Sequence, residues 1–306
     1  MPELMMSTKE VADYLGIHEK QVYALIKQKK IPCTRVTGKW LFPRDIIDEW
    51  IRTSAQKDIH VMKTRAKGHR GALLASGSND PVLNILFTYM KNIYPDFHIY
   101  TSATGSTEGL HLLMQKETDI AWCHLFDPQS GGYNIPQVAE MFRDMDVAVV
   151  HLFYRELGFV VSPKSEKNVK TFEDLTVPGV RFINRQKGSG TRLLLDYNLE
   201  KLGIDPANIQ GYGDEVYTHM EVGLSLLSGE YDVGIASVAI SRLLGLGFVP
   251  LVRESFDMVL LQKTFFDKWV QALIEVLGTE QFRKKVEPLG SYDFTEAGKI
   301  IYSSTS

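Results

Sequence analysis

Three stretches of the 306-residue chain gather hydroxyls, glycines and amides where a strand-like run gives way to an apolar helical period. The first is Ser76-Gly77-Ser78-Asn79-Asp80-Pro81, ahead of Leu83, Leu86, Phe87 and Met90. The second is Thr101-Ser102-Ala103-Thr104-Gly105-Ser106-Thr107, ahead of Leu110, Leu113 and Met114. The third is Asn184-Arg185-Gln186-Lys187-Gly188-Ser189-Gly190-Thr191-Arg192, ahead of Leu193, Leu194, Tyr197 and Leu199. Such a junction offers hydroxyls, backbone N–H groups and the positive end of a helix, which together suit a small anion. One loop of this kind is commonly only a turn and a cap. Three at equivalent positions are harder to explain that way, and Arg185 and Arg192 add to the case because cations oppose the positive end of a helix. An anion between the two arginines resolves the conflict. A carboxylate such as Asp196, four residues after Arg192, is the competing explanation.

The expected ligand-binding residues are therefore Ser76, Ser78, Asn79, Thr104, Gly105, Ser106, Thr107, Arg185, Ser189, Gly190, Thr191 and Arg192, with Tyr212 on the same cavity. His124 and Asp127 end another strand-like run and face either the cleft or their own loop. Glu215 and His219 stand at i, i+4, which on a helix makes a surface pair the leading alternative to a site role. Other chemistry is missing from the pattern. No phosphate loop, dinucleotide fingerprint, zincin motif or nucleophile elbow is present. Cys123 and His124 are strand neighbours and point to opposite faces, so they make no nucleophilic pair. Cys33 and Cys123 lie far apart without metal-ligand spacing, so no metal, cofactor or disulfide is expected. The reading is of a protein that binds rather than catalyses.

The elements that must position these loops alternate. Strand-like runs at Ala72–Ser76, Ile99–Thr101, Ile120–Cys123, Val147–Phe153, Phe159–Ser162, Val180–Ile183, Val233–Ala236 and Phe248–Val252 are separated by helical segments. That order predicts an α/β layered domain with a largely parallel sheet, whose ligands bind beyond the carboxyl ends of the strands. Apolar content of 44% over this length is too much for one compact core, which makes two or more domains the expectation. No apolar run is long enough for a membrane helix, and the opening residues turn polar at once, which points to the cytoplasm.

Charge divides the chain unevenly: residues 1–70 carry a net +6 and the remainder −9. A basic head on an acidic body is expected when only the head meets a polyanion. Within the head, Ser7-Thr8-Lys9-Glu10 fits a capping box, Gly16 can end the helix it starts, and Val22, Leu25 and Ile26 begin a second. His18, Glu19, Lys20, Gln21, Tyr23, Lys27 and Lys30 form that helix's outer, mostly basic face. Cys33–Val36 and Lys39–Phe42 read as a hairpin turning at Thr37-Gly38. A third helix after Pro43 brings Ile46, Ile47, Trp50 and Ile51 to a small core.

The order of helix, glycine turn, helix, Lys-Ile-Pro, basic hairpin with Trp40, Pro43-Arg44 and final helix resembles the excisionase-type winged helix-turn-helix domain over residues 5–52. The resemblance places Lys20, Gln21, Tyr23 and Lys27 on a recognition helix, and Arg35, Lys39 and Arg44 on or beside the wing, all toward double-stranded DNA. His18-Glu19 departs from the hydroxyl cap usual there. The body, through the three loops together with Asp119–Leu125, Gly229–Ala236 and Phe248–Leu251, resembles the periplasmic-binding-protein-like domain that accompanies winged-helix regulators. Ala-Thr-Gly-Ser-Thr at 103–107 and Arg-x-x-Gly-Ser-Gly-Thr at 185–191 are similar to the oxyanion loops of molybdate- and tungstate-binding proteins.

The fold this implies is α/β, an N-terminal winged helix-turn-helix plus a two-lobed periplasmic-binding-protein-like (type II) domain with ligand at the interlobe cleft. The expected boundaries are 1–55 for the DNA-binding domain, 56–71 for a linker and 72–306 for the sensing domain. Within the last, lobe 1 takes about 72–156 and 258–306, completed by helices after Phe265, and lobe 2 about 157–257. The implied function is a cytoplasmic, ligand-responsive transcriptional regulator sensing tungstate or molybdate, with a homodimer expected from two-fold operators. A small organic acid bounded by Trp122, Tyr133 and Tyr212, or an excisionase-like accessory protein of recombination, is the alternative.

Overall fold

In the computed structural model the described residues are 5–28, 30–36, 38–48, 50, 72–165, 167–290 and 292–304. The chain divides into two compact units, Met1–Arg70 and Gly71–Ser306. The linker expected at 56–71 lies outside the described residues, as does Ile51.

In the first unit, strand β1 (Met5–Met6) leads into α1 (Thr8–Leu15), then α2 (Glu19–Lys27), β2 (Thr34–Val36), β3 (Lys39–Pro43) and a helix α3 beginning at 44. The capping box forms as its residues require. Ser7 N donates to Glu10 Oε2 at 2.7 Å, Glu10 N donates to Ser7 Oγ at 3.4 Å, and Gly16 ends α1 with φ of 65°. The hairpin pairs Arg35 with Trp40 and Val36 with Lys39 across Gly38. β1, which the sequence pattern did not reveal, adds to the hairpin's other edge by pairing Met6 with Phe42. Val11, Val22, Phe42 and Ile47 are fully buried and make the core. Ile46, expected beside them, is instead 44% exposed, because on a helix adjacent residues cannot share one face.

The second unit begins with β4 (Ala72–Gly77), α4 (Pro81–Ile93), β5 (His98–Ala103), α5 (Ser106–Met114), β6 (Ile120–Cys123), α6 (Ile135–Met141) and β7 (Val147–Val161). It continues with β8 (Phe182–Arg185), α7 (Gly190–Leu202), β9 (Glu215–Val216), α8 (His219–Ser228), β10 (Val233–Ser237), α9 (Val238–Leu244) and β11 (Gly247–Leu261). It closes with α10 (Gln262–Phe265), α11 (Lys268–Gly278), α12 (Glu280–Val286) and β12 (Ile300–Ser303). One mixed sheet runs β5-β4-β6-β11-β7-β10-β8-β9, with β12 pairing β7 off this path.

β7 and β11 decide the architecture. Each is 15 residues long, and they pair antiparallel from Val147↔Leu261 to Gly247↔Val161. Their first and last thirds belong to different cores. Val150, Leu152, Phe153 and Met258 pack with Leu86, Trp122, Trp269, Leu273 and Phe282 under α4, α11 and α12. Leu157 and Phe159 pack instead with Phe182, Leu195, Leu199 and Ile235. The runs Val147–Phe153 and Phe159–Ser162, expected as two strands, are therefore one, and the short run at Phe248–Val252 extends to Leu261. Buried charges interrupt the apolar pattern where the strands cross from one core to the other. Gly158 lies at this crossing, and a Cβ there would stand 2.2 Å from Val249 O, so the two strands approach too closely for any larger residue.

Candidate functional site

At the crossing, strand register alone brings opposite charges together: Glu254 on β11 is the direct partner of Arg155 on β7. Arg155 is fully buried, its Nε donates to Glu254 Oε1 at 2.7 Å, and its Nη1 binds Asp80. Asp80 is also the N-cap of α4, accepting from Val82 N at 2.7 Å, and takes the Tyr292 hydroxyl at 3.0 Å. Glu254 Oε2 meets His124 Nδ1 at 3.0 Å, and Arg155 Nη2 meets His219 Nε2 at 3.3 Å. Burial alone would raise the Glu254 carboxyl, but His124 and Arg155 hold it at about 2. Burial, then the nearby Arg185, Arg155 and His124, push His219 well below the ordinary histidine range.

The three hydroxyl-rich loops converge here. Thr104 N and Gly105 N both donate to Gly77 O at 3.0 Å, Ser78 N donates to Trp122 O at 2.9 Å, and Thr107 N donates to Gly188 O at 3.4 Å. His124 N donates to Ser106 Oγ at 3.2 Å. Gly190 packs so closely on His124 that a Cβ would lie 2.3 Å from its carbonyl oxygen, and one on Gly105 would lie 3.2 Å from Gln186 Nε2. Ser76, Ser78, Gly105, Ser106, Arg185, Ser189, Gly190 and Thr191 are buried, while Asn79, Thr104 and Thr107 are half-buried. Ser189 Oγ serves as a cap, accepting from Arg192 N at 3.2 Å.

The two arginines of the third loop part company. Arg192 divides its guanidinium between Asp196 at 2.9 Å and Glu215 at 2.9 Å and lies over the Tyr212 ring, whose hydroxyl also bonds Asp196 at 2.7 Å. Arg192 and Tyr212 thus form an ion-pair cluster of their own, the competing explanation given by sequence. Glu215 sits in β9 and His219 begins α8, so the two are not a helical pair. Asp127 bonds Ser130 within its own turn at 2.7 Å. Trp122 is buried in the first core beside Phe87, not at a cleft wall.

Arg185 has no such partner. It is 2% exposed, its Nη2 donates to Tyr217 O at 2.7 Å and its Nε to Gln186 Oε1 at 3.2 Å, and among the described residues it makes no ion pair. Burial and the like charge of Arg155 push its guanidinium down to about 9. Its Nη1 is buried without a hydrogen-bond partner, as are Gln186 Nε2, Thr191 Oγ1, His219 Nδ1, His124 Nε2 and the Tyr133 hydroxyl. Native structures leave few buried polar atoms unsatisfied, so these groups, together with a buried guanidinium that bonds no carboxylate, have the chemistry to receive an anion. Sequence reasoning missed Arg155, Glu254, Gln186 and the partnership of Asp80. A charged pair inside strongly apolar strands was the available signal. No cluster of metal-ligating side chains occurs among the described residues.

The model of the PBP superfamily domain matches residues 88–278. The chain belongs to the PBP superfamily. Ahead of its PBP-like domain, residues 5–55 match an excisionase-type helix-turn-helix domain. The Bacillus subtilis (strain 168) protein YvgK is 29% identical over 301 residues, covering 96% of each chain. Solved structures similar to the PBP unit include a substrate-binding protein with bound phosphate from Clostridium perfringens, at 16% identity and TM-score 0.54, covering 75% of this chain and 100% of that one. Another is the tungstate ABC transporter structure from Geobacter sulfurreducens, at 14% identity and TM-score 0.51, covering 71% and 97%. These likenesses show the fold. A DNA-binding head joined to a PBP-like ligand-binding domain is the composition of a ligand-responsive regulator, and neither matched domain is an enzyme family. No described helix is long and apolar enough to cross a membrane.

The buried histidines give the PBP unit a defined acid sensitivity. A base held neutral below its usual 6.5 binds no proton in the folded state while the unfolded chain does, so stability is lost as pH falls below that value. Each such group costs up to about 1.4 kcal/mol per pH unit. The melting temperature should therefore fall steadily between about pH 7 and 5, before Glu254, held at about 2, adds its own loss below its unfolded value. A flat profile across that window would show that neither histidine is held neutral.

Proposed function

We propose that the chain is a DNA-binding regulator whose PBP unit captures a tetrahedral oxyanion, tungstate or molybdate, at the loops of Ser76–Asn79, Thr104–Thr107 and Arg185–Thr191. The observation that carries this reading is Arg185, a buried cation with an unpartnered Nη1 and no bonded carboxylate, in the same loop as the unpartnered Gln186 Nε2 and Thr191 Oγ1. Isolated buried charge is too costly to keep without a compensating partner, and the loop chemistry of hydroxyls and helix N-termini suits an anion. Arg185, rather than Arg192, is the guanidinium we assign to it. Lobe 1 as residues 72–156 and 258–306, and lobe 2 as 157–257, would close on the anion about the β7–β11 crossing.

On the head, Lys20, Gln21, Tyr23, Lys27, Arg35, Lys39 and Arg44 are all exposed, which supports their use on DNA. Gln21 Oε1 also accepts from His18 N at 3.0 Å, the half of a capping box that the third helical residue supplies. Arg35 stacks over Trp40 and Arg44 over Tyr14, arrangements that hold both guanidinium groups at the surface. Lys20→Ala, Lys27→Ala and Lys39→Ala should each weaken binding and reduce the log–log salt slope by about 0.9. Unchanged slopes in all three would remove this face from the DNA interface. A homodimer on a two-fold operator in the cytoplasm completes the proposal.

The functional test is to select DNA from a random pool with the full chain, then measure its affinity with and without tungstate or molybdate. The reading requires the oxyanion to change DNA affinity by several-fold or more in wild type, and Arg185→Met to need roughly ten to one hundred times more oxyanion for the same change. Equal affinity with and without every oxyanion would separate the head from the PBP unit and defeat the regulator reading.

A further inference from the structure

We propose that capture of the oxyanion is coupled to uptake of one proton by His124. The inference rests on the oxyanion reading of the site and adds its proton chemistry. Glu254 Oε2 stands 3.0 Å from His124 Nδ1, so a neutral ring keeps its proton on Nδ1 and leaves a lone pair on Nε2. Nε2 is buried and without a partner. The other unpartnered groups named at the site can all donate: Arg185 Nη1 and Gln186 Nε2, and the hydroxyls of Thr191 and Tyr133, which can also accept. His219 joins them, because Arg155 Nη2 donates to its Nε2 and fixes the ring proton on Nδ1. Among these groups neutral His124 Nε2 is the one that cannot donate.

A fully deprotonated oxyanion presents only acceptors, so it would meet the Nε2 lone pair repulsively. A proton on Nε2 converts the contact into a charge-assisted hydrogen bond and places an imidazolium between the Glu254 carboxylate and the anion. Charge leads to the same result. Asp80 and Glu254 both pair with Arg155, and the unpaired Arg185 brings the sum of these four charges to zero, so a bound dianion would leave an excess of two negative charges, and one protonated histidine halves it. His219 is less suited, since Arg155 and Arg185 face it and no carboxylate does.

The groups around His124 fix the direction of the effect. They are Glu254 on β11, Arg155 on β7, Arg185 on β8 and His219 on α8, with the Phe256 ring stacked at 6.0 Å and Tyr133 kept in its protonated form by burial. Without a ligand, burial outweighs the pull of Glu254 and keeps the ring below its usual 6.5. A neighbouring dianion raises it. Between the free and bound values, anion affinity should rise about tenfold for each unit fall in pH, and it should level off on either side.

Isothermal titration of sodium tungstate into the full chain at about pH 7.5, in buffers of differing ionisation enthalpy, reads the proton count directly. The expected result is a linear dependence corresponding to close to one proton taken up by wild type and by His219→Gln, and none by His124→Gln. Binding without buffer dependence in wild type, or undiminished uptake in His124→Gln, overturns the inference while leaving the oxyanion reading intact. If no buffer gives binding heat with tungstate or molybdate, the oxyanion reading falls and takes the inference with it. Should His124→Gln not fold, ring ¹⁵N shifts of wild type serve instead. Conversion of His124 Nε2 from unprotonated to protonated on adding tungstate supports the proposal, and an unchanged ring refutes it.

Discussion

Replacing Arg155 by methionine should destabilise the PBP unit by about 3–5 kcal/mol, the usual cost of removing one partner from a buried ion pair. Asp80 and Glu254 would remain buried, facing each other without the cation that now binds both. Glu254, held at about 2 by His124 and Arg155 against the effect of burial, would move sharply upward. Neutralising the stranded carboxylates at low pH should therefore recover part of the loss. For a unit of this size a loss of that magnitude corresponds to roughly 10 °C in melting temperature. Calorimetric melting checks it. A variant that melts within a degree or two of wild type would show that the charges at the β7–β11 crossing contribute nothing to the fold.

Arg185→Met should do the reverse to the free protein. The guanidinium is pushed from 12.5 down to about 9, which at 1.36 kcal/mol per unit is a penalty on the order of 5 kcal/mol for keeping it charged. The hydrogen bonds lost, to Tyr217 O and Gln186 Oε1, come from a charged donor and offset much of that penalty, at about 1.5–3 kcal/mol each. Methionine in its place should raise the melting temperature of the ligand-free protein and at the same time lower oxyanion affinity by roughly one to two decades. The two variants thus separate a cation kept for the fold from one kept for a ligand. Arg192→Ala belongs to the first kind: with Asp196 and Glu215 as partners, it should lower stability and change anion affinity little.

What sequence could and could not reveal follows from how far apart the deciding contacts lie. The three loops were legible because their signals are local: Asp80 caps α4 two residues on, Ser189 caps α7, and Gly105 takes a positive φ of 91° at the start of α5. The head was legible for the same reason, through the Ser7–Glu10 box and the Gly16 and Gly38 turns. Arg155 and Glu254, 99 residues apart, meet only because β7 and β11 share a register that no local pattern encodes. Their charges even disguised the strands, since a run broken by Arg155-Glu156 reads as two short elements rather than one long one. Arg185 and Arg192 gave the same local signal. They differ because Asp196 and Glu215 reach only the second, and Glu215 arrives from β9, 23 residues away.

The account stands most directly on thermal melting of the full chain in the presence of tungstate, molybdate, sulfate and phosphate. A ligand at about one hundred times its Kd stabilises the state that binds it by about 2.7 kcal/mol, a shift of several degrees. Tungstate or molybdate should produce that shift in wild type and, at the same concentration, only about 0.4–1.4 kcal/mol of it in Arg185→Met after a loss of one to two decades in affinity, even though the variant begins from a higher melting temperature. If no oxyanion moves the wild-type transition, or if Arg185→Met keeps the full shift, the buried guanidinium does not hold an anion and the proposed site is wrong.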